Sequence, residues 1–447
     1  EETSDLLSAI ADELTHRNYG DEVRLEIAHN CPEAMVDFLR VQCGMEEDNV
    51  YLVNGPVNLS RMQAIHSLVD RPELKFKPFS QGYPSTLPSG SDLFAVLRKQ
   101  DVLLHHPYHS FSPVIDLVKQ AASDPTVLAI KQTLYRTGAK SPIVDALVAA
   151  SKAGKEVTVV IELRARFDEA ENVTLASRLQ QAAVHVVYGI VGYKTHAKML
   201  LILRRENNKL RQYAHLGTGN YHRSTSRIYT DYGFLTSDKQ ITEDVSNLFV
   251  QLTSLGKVPK TNKLLHAPFT LMDGLLSRIN REISHAKEGK SAHIIIKVNS
   301  LVEPTMISAL YRASMAGVKI DLITRGICCL KPGISGLSEN IHVRSIIGRF
   351  LEHTRIYYFD NDGDTEVWAA SADLMKRNLL RRVEACFPIQ AKQLRQQIID
   401  DLQLYLADNV QAWQLAPDGR YQRIEQDEHT EAVCAQSTLL EKMAKTY

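Results

Sequence analysis

The chain has 447 residues, of which 44% are hydrophobic and 23% charged, as expected for a folded protein of about three domains. Its 52 basic and 52 acidic side chains cancel, so the overall charge does not indicate a nucleic-acid partner. No apolar run approaches the roughly 20 residues that cross a bilayer, so no spanning helix is predicted. The chain begins with Glu1 and shows no signal-peptide pattern, and we interpret it as a fragment or a processed protein.

The first 82 residues show a helical pattern from Leu7 to Leu14 and two strand-like runs, Val23–Ala28 and Val50–Val53. No group of residues in this stretch carries an obvious chemistry. We interpret residues 1–82 as the remainder of an α+β domain that begins upstream. A segment rich in proline, serine and glycine ends it.

Strands alternate with helices over the rest of the chain, which is typical of an α/β fold. Strand-like runs at 126–135 and 156–163 flank a helix that begins at Pro142. The same order returns later, with strands at 293–298 and 319–324 around a helix that begins at Pro304. We therefore predict two repeated α/β domains, each a mixed sheet flanked by helices, over residues 83–262 and 263–447.

Each repeat contains a histidine followed two positions later by a cation. The pairs are His196 with Lys198 and His353 with Arg355, and each runs into an apolar strand. Residues two apart in a strand face the same side, so histidine and cation are expected to point into one cleft. An imidazole nucleophile beside a cation that binds oxyanions is suited to phosphate chemistry.

An acid follows each histidine, after a turn of small residues. Asp231 follows the turn 217–220, and Glu384 follows the turn 371–373. Along the chain, these acids come after His196 and His353 respectively. A carboxylate that accepts a hydrogen bond from one ring nitrogen fixes the tautomer and leaves the other nitrogen able to attack.

Basic side chains are concentrated in two stretches of the chain, and together they predict a groove for a polyanion. They are Arg164, Arg166, Lys194, Lys198, Arg204, Arg205, Lys209 and Arg211 in the first stretch, and Arg377, Arg381 and Arg382 in the second. His105, His106 and His109 are interpreted as structural, because a Pro-Tyr turn lies among them and no acidic ligand is nearby. His215 and His222 are interpreted as local hydrogen-bonding residues. Six cysteines show no zinc-binding spacing and predict reduced thiols, with Cys328 and Cys329 in the core.

The paired motif resembles that of the phospholipase D superfamily, in which H-x-K is followed by four residues and then by aspartate. The first copy departs from the pattern at Leu203, and the second has Arg355 in place of lysine but keeps Asp360. These departures agree with one branch, the long bacterial polyphosphate kinases. The segments that carry this closer resemblance are 101–108, 131–136, 160–168, 192–198, 215–222, 321–330, 338–344 and 347–353.

The resemblance implies roles for individual residues. It implies that His196 is the histidine that becomes phosphorylated, and that Tyr229, Arg325 and His353 lie at an ATP site. His353 is then expected to stabilise charge or to act as a weak acid. The family's order of domains also implies that this chain lacks an N-terminal portion.

The resemblance places Arg136 and Arg166 where the phosphates of the magnesium-bound nucleotide lie. A guanidinium has no lone pair and cannot ligate Mg²⁺, so we interpret both residues as contacts to phosphate oxygens. The implied reaction is reversible transfer of the γ-phosphate of ATP to inorganic polyphosphate through a phosphohistidine. The resemblance further implies a homo-oligomer in the cytoplasm, with at most peripheral association with the inner membrane.

Two other functions stay open. A phospholipase D-like phosphodiesterase would keep an aspartate after the first motif, where this chain has Leu203. A polyanion-binding module without catalysis would have no need of two histidines each followed by an acid. Labelling of the protein by magnesium-ATP would separate the kinase from both alternatives.

Overall fold

The computed structural model describes residues 22–137, 141–162, 169–190, 192–254, 260–424 and 430–446. The chain divides into two compact units, Glu1–Lys77 and Pro78–Tyr447. None of the helices in the described ranges is long and apolar enough to cross a membrane. The helix predicted from Leu7 to Leu14 lies outside the described residues.

The first unit contains a small two-stranded parallel sheet. Its elements are β1 (Leu25–Ala28), α1 (Glu33–Gln42), β2 (Val50–Val53) and α2 (Ile65–Leu68). The pairing runs from Leu25 with Val50 to Ala28 with Val53. β1 therefore begins two residues later than predicted. The strand predicted at Val50–Val53 is confirmed.

The first α/β repeat follows in the second unit. Its strands are β3 (Phe79–Ser80), β4 (Val102–His106), β5 (Val127–Leu134), β6 (Glu156–Ile161), β7 (His185–Val187), β8 (Lys194–Thr195), β9 (Lys198–Glu206), β10 (Lys209–Gly217) and β11 (Tyr229–Thr236). Its helices are α3 (Leu93–Leu97), α4 (Ser112–Ser123), α5 (Pro142–Lys152), α6 (Glu169–Gln181) and α7 (Lys239–Thr253). The buried strands β5 and β6 pair in parallel, and β9, β10 and β11 add antiparallel to them.

The second repeat shares the strand–helix–strand unit of the first and has additional strands at its end. Its strands are β12 (Leu265–Ala267), β13 (His293–Val298), β14 (Lys319–Thr324), β15 (Ile341–Ile346), β16 (Leu351–Glu352), β17 (Arg355–Phe359), β18 (Glu366–Ala370), β19 (Arg382–Pro388), β20 (Ala412–Leu415), β21 (Tyr421–Arg423) and β22 (Lys445–Thr446). Its helices are α8 (Leu271–Lys287), α9 (Pro304–Met315), α10 (Lys376–Arg381), α11 (Lys392–Ala407) and α12 (Ala435–Met443). The strands predicted at 293–298 and 319–324 are confirmed.

The two repeats exchange a short strand. β8 belongs to the first repeat in sequence but pairs in parallel with β19 of the second sheet. β16 belongs to the second repeat but pairs in parallel with β11 of the first sheet. Each exchanged strand directly precedes a motif histidine, His196 or His353. Both histidines are therefore carried to the sheet of the other repeat.

One hydrophobic core joins the two repeats. It contains buried side chains from both sheets and from helices α7, α11 and α12. Phe234 of β11 stacks on Phe387 of β19, with the ring centroids 5.8 Å apart. A second core lies within the second repeat, between β13, β14 and the helices α8 and α9. The predicted α/β class, with two mixed sheets flanked by helices, is confirmed.

All six cysteines are free thiols, as predicted. The placement of the adjacent pair in the core is wrong, because Cys328 is half-buried and Cys329 is exposed. Both residues follow β14 in the loop that leaves the sheet, where an apolar sequence does not ensure burial.

Candidate active site

His196 lies in the segment between β8 and β9, and its ring is held by an acid. Its backbone N–H and that of Ala197 both donate to the carbonyl of Val383 at 2.9 Å. Its Nδ1 lies 2.9 and 2.8 Å from the carboxylate oxygens of Glu384. An ionised carboxylate only accepts, so Nδ1 carries the proton and Nε2 has the lone pair. Burial lowers the pKa of His196 to about 3, so the ring is neutral at neutral pH.

Glu384 is fully buried on β19 and is itself held by hydrogen bonds. Ser371 donates its hydroxyl to Oε2, and Asn378 donates its amide to Oε1 at 2.7 Å. Burial alone would raise the pKa of Glu384, but the His196 ring, Lys198 and Ser371 hold it below its ordinary value. The carboxylate is therefore ionised and fixed in place before any ligand arrives.

His353 has a similar arrangement on the other side. Its Nδ1 lies 2.9 Å from both carboxylate oxygens of Asp231, and Thr218 donates its hydroxyl to Oδ1 at 2.6 Å. Burial and then the positive charge of Arg355 lower the pKa of His353. Burial would raise the pKa of Asp231, but His353 and Thr218 keep it below its ordinary value.

These pairs cross between the repeats, which corrects the assignment made from chain order. His196 pairs with Glu384 and His353 pairs with Asp231, because the exchanged strands place each histidine beside the acid of the opposite sheet. The predicted carboxylate–imidazole hydrogen bonds are present. Their partners are exchanged, and the two halves form a single polar cluster.

The two cations differ in their partners. Arg355 forms an ion pair with Asp373 at 3.1 Å, and its Nη1 lies 3.0 Å from Nε2 of His353. The Nζ of Lys198 is buried and donates no hydrogen bond to any residue in the described part of the chain. Burial lowers the pKa of Lys198 to about 7, although the negative charge of Glu384 acts to raise that pKa. Burying an ammonium is energetically unfavourable unless an anion pairs with it.

Tyr135 connects the cations of the first repeat to His196. Its ring centroid lies 5.1 Å from that of His196 and 5.5 Å from Nζ of Lys198. The guanidinium of the next residue, Arg136, lies 5.6 Å from the same ring. Arg136 is exposed and has a φ of 53°, a conformation that L side chains rarely adopt. Strain of this kind is concentrated at ligand sites.

The predicted ATP residues also come together. The Tyr229 ring lies 5.3 Å from the ring of His353. Arg325, at the end of β14, donates from Nε to the side-chain oxygen of Asn299 at 2.9 Å. Asn299 in turn donates its backbone N–H to Asp373 at 2.8 Å, and Asp373 pairs with Arg355. Arg166 lies outside the described residues.

Part of the predicted basic groove lies elsewhere. Arg204 and Arg211 form ion pairs with Glu206 in the hairpin between β9 and β10. Arg382, by contrast, is close enough to lower the pKa of Lys198. Of the basic residues predicted to line the groove, some therefore lie at the site and others lie on a solvated hairpin.

The remaining histidines are structural in their contacts, with one correction. His215 Nδ1 bonds to the hydroxyl of Tyr221 at 2.9 Å, and His222 Nδ1 accepts from the backbone N–H of Thr225. An acid does lie near the 105–109 cluster, because Asp401 on α11 is 3.1 Å from Nδ1 of His105. The sequence did not predict this neighbour, because Asp401 is distant from His105 along the chain.

Several site residues were not predicted, although each left a signal. Asn299 follows directly on a buried strand, at the edge where α/β sheets bind ligands. Lys297 is a single charge in an otherwise apolar strand, and Tyr135 directly precedes the predicted Arg136. Within the described residues, no group of three or more histidine, cysteine or acidic side chains could hold a metal ion.

The fold and the site define a class of α/β protein in which two repeats share a pair of carboxylate-held histidines. The family model described as polyphosphate kinase C-terminal domain 1 matches residues 92–258, and that for C-terminal domain 2 matches 264–436. The model for the middle domain matches residues 1–65. The chain belongs to the polyphosphate kinase family.

Similar proteins agree with this assignment. Polyphosphate kinase from Pseudomonas aeruginosa is 57% identical over 99% of this chain, and that from Neisseria meningitidis is 55% identical over 95%. The crystal structure of polyphosphate kinase from Porphyromonas gingivalis superposes with a TM-score of 0.85, at 33% identity, over 94% of this chain and 64% of that one. The chain spans 64% of the Pseudomonas relative and 62% of the Neisseria one, a little under two thirds of their length.

Proposed function

We propose that this chain carries the phosphoryl-transfer site of an ATP–polyphosphate phosphotransferase, with His196 as the nucleophile. The observation that carries the proposal is the His196 ring itself: Nδ1–H is held by Glu384, while Nε2 keeps its lone pair. The buried ammonium of Lys198 lies close by and has no hydrogen-bond partner among the described residues. A neutral imidazole beside an uncompensated cation suits attack on a phosphate.

In the first half-reaction, Nε2 of His196 attacks the γ-phosphorus of ATP in line. The N–P bond forms as the bond between the γ-phosphorus and the bridging oxygen breaks, and ADP leaves with that oxygen's electrons. Glu384 stabilises the positive charge that develops on the ring. Lys198 stabilises the charge on the transferred phosphoryl oxygens.

In the second half-reaction, a terminal oxygen of polyphosphate attacks the phosphohistidine. The O–P bond forms, the N–P bond breaks, and His196 returns to its neutral form with the chain one phosphate longer. The phosphoramidate is comparable to a phosphoanhydride in transfer potential, so both half-reactions run in either direction. The same site then makes ATP from ADP and polyphosphate.

The surroundings of the two histidines favour His196 over His353 as nucleophile. Arg355 donates from Nη1 to Nε2 of His353 at 3.0 Å, so the lone pair that would attack a phosphate is already engaged on that ring. His353 then contributes by stabilising charge on a bound phosphate or as a weak acid, as expected from the sequence. ADP is a good leaving group, so an obligatory proton donor is not required.

The nucleotide is proposed to bind beside His353, against Tyr229 and Arg325. Arg136 and Arg166 are proposed to contact phosphate oxygens. Magnesium is proposed to arrive with the nucleotide as part of the substrate. The described residues offer no cluster of protein ligands that could hold the ion without it.

Three further features are proposals that rest on the sequence and the family. The two catalytic domains are assigned to residues 83–262 and 263–447, after the remainder of an upstream domain at 1–82. The whole protein is proposed to be a homo-oligomer of the cytoplasm, with at most peripheral membrane association.

The test is a reaction of the protein with magnesium-ATP and a short polyphosphate, in which ADP release and polyphosphate length are measured together. We expect equal amounts of ADP formed and phosphate added to the chain, and no activity in His196→Ala. A version extended to the length of the relatives is assayed in parallel, since this chain spans only 64% of the Pseudomonas relative. Hydrolysis of a phosphodiester by either version, without ATP-dependent chain growth, would instead support the phosphodiesterase.

A further inference from the structure

A buried ion pair lies immediately before His353, outside the catalytic contacts described above. Glu352 on β16 and Lys297 on β13 are both almost completely buried, with Nζ 2.8 Å from Oε2. Thr230 on β11 donates its hydroxyl to the same Oε2 at 2.8 Å. Gln436 donates its amide to Oε1 at 2.6 Å. The carboxylate therefore has a partner on each oxygen.

This cluster reaches His353 through its backbone. The N–H of His353 donates to the Thr230 hydroxyl at 3.1 Å. Thr230 lies between Tyr229, whose ring contacts His353, and Asp231, whose carboxylate holds the His353 ring. The Thr230 hydroxyl thus connects the buried ion pair to the backbone of His353. The two residues on either side of Thr230 both contact the His353 ring.

The opposite side of the site supplies a comparison within the same molecule. There, β8 joins β19 in the same parallel manner, and Val383 occupies the position that corresponds to Thr230. The N–H of His196 donates directly to the backbone carbonyl of Val383 at 2.9 Å. The strand exchange therefore forms without a hydroxyl. At His353 the backbone N–H is bonded to a side chain instead.

The stability of the fold by itself does not explain a buried ion pair at this place. Removing two charges from water is unfavourable, and apolar residues of similar volume are often as stable in the same place. On the side that carries His196, Thr195 occupies the position that corresponds to Glu352, and its backbone N–H donates to the buried carboxylate of Glu162 at 2.9 Å. The ion pair therefore requires an explanation other than the pairing of strands.

We propose that Thr230, Glu352 and Lys297 form a positioning group that sets the backbone at His353 and thereby the direction of its ring. Lys297 fixes Glu352, Glu352 fixes the Thr230 hydroxyl, and that hydroxyl holds the N–H of His353. The group makes the two histidines geometrically different, although they sit on equivalent elements. Its effect on catalysis rests on the proposed function, but its effect on the His353 ring does not.

The decisive variant is Thr230→Val, which keeps the shape of the side chain and copies the residue at position 383. The matched control is Thr236→Val on the same strand, a fully buried threonine whose hydroxyl accepts the N–H of Asp238 at 2.9 Å. Histidine ring carbons are labelled with ¹³C, and the resonances of His353 and His196 are assigned with His353→Gln and His196→Gln. We expect Thr230→Val to shift the His353 resonance and leave that of His196 in place. Thr230→Ser, which retains the hydroxyl, is expected to restore the wild-type spectrum.

Kinetics supply the second readout. A displaced catalytic group costs roughly 10- to 100-fold in rate, so Thr230→Val should lower kcat by that factor with little change in KM. Unchanged His353 resonance and unchanged kcat would overturn the proposal, and so would equal shifts of both histidines. Should Thr230→Val fail to fold, Glu352→Gln is subjected to the same measurements with the same criteria. If the wild-type protein has no kinase activity, the proposed function fails, and the NMR comparison still decides the positioning role.

Discussion

Single residues set the charge of the site at neutral pH. His196 is neutral because burial lowers its pKa to about 3, and Glu384 is ionised. Lys198 is the group whose charge changes near neutrality, because burial lowers its pKa to about 7. Below that pH the ammonium is present, and above it the neutral amine.

The pH dependence of the reaction follows from Lys198. We expect kcat/KM for ATP to fall as the pH rises above about 7, because the amine loses the positive charge that attracts phosphate. In Lys198→Arg the guanidinium stays protonated, so this fall should move to higher pH. The measurement is a pH profile of both proteins at constant ionic strength. Identical profiles would show that another group titrates.

Two arginines are expected to act at different stages. Arg136 lies beside the Tyr135 ring that contacts His196, so Arg136→Ala should mainly lower kcat. Arg325 lies on the side of Tyr229 and His353, so Arg325→Ala should mainly raise KM for ATP. Loss of one such contact costs on the order of 2–4 kcal/mol, or roughly 30- to 1000-fold.

Lysine at each position is the control, because it keeps the charge but loses the planar guanidinium. Full activity in Arg136→Lys would mean that a point charge is sufficient there. Steady-state kinetics with varied ATP separate the two parameters. Unchanged kinetics in both alanine variants would place the phosphate site elsewhere.

At the scale of elements, the exchanged strands β8 and β16 determine which acid serves which histidine. Each delivers its histidine to the sheet of the other repeat, where β19 carries Glu384 and β11 carries Asp231. The site is therefore complete only when both repeats are folded together.

The strand exchange predicts that substituting Glu384 will slow phosphorylation of His196 more than substituting Asp231. Glu384→Gln removes the charge that fixes the His196 tautomer, and such a change lowers the rate by roughly 10²- to 10⁴-fold. Asp231→Asn leaves the His196 tautomer unaffected, so its effect on phosphorylation of the enzyme should be smaller. Rapid-quench measurement of phosphoenzyme formation compares the two variants. A larger defect in Asp231→Asn would mean that His196 depends on the acid of its own repeat.

The sequence predicted the strands well where burial alone decides them. β13 and β14 match their predicted bounds, because an apolar run bounded by polar residues has one stable placement in a two-sided sheet. The paired histidines and acids were also found from their repetition. The exchange of partners was not, because a spacing within one repeat carries no information about which sheet a two-residue strand joins.

Single polar residues in buried strands were missed for a similar reason. Thr230 and Glu352 look unremarkable in sequence, and the single charge of Lys297 in its strand does not reveal its partner, because their roles arise from contacts between distant segments. Asn299 acts through Arg325 and Asp373, which are brought together only by the fold of the second repeat. Hydrogen-bonded clusters of this kind depend on tertiary geometry rather than on periodicity.

At the scale of the whole molecule, the shared core should make both repeats unfold together. Phe387→Ala removes a fully buried ring that stacks on Phe234 of the other sheet, and such changes cost about 3–5 kcal/mol. Denaturant unfolding followed by probes in each repeat should shift equally in both. The control Leu210→Ala, at an exposed position, should change the free energy of unfolding by less than about 0.5 kcal/mol. A shift confined to the second repeat would mean that the repeats fold independently.

The proposed reaction of the whole molecule depends on one covalent intermediate at one nitrogen. The most direct measurement is incubation with γ-labelled magnesium-ATP, in the chain described here and in a version of the relatives' length, followed by quenching in alkali and in acid. We expect protein-bound phosphate that is stable in alkali and labile in acid, as a phosphoramidate is, and absent from His196→Ala. Label that persists in His196→Ala, or the absence of label from both wild-type versions, would contradict the account.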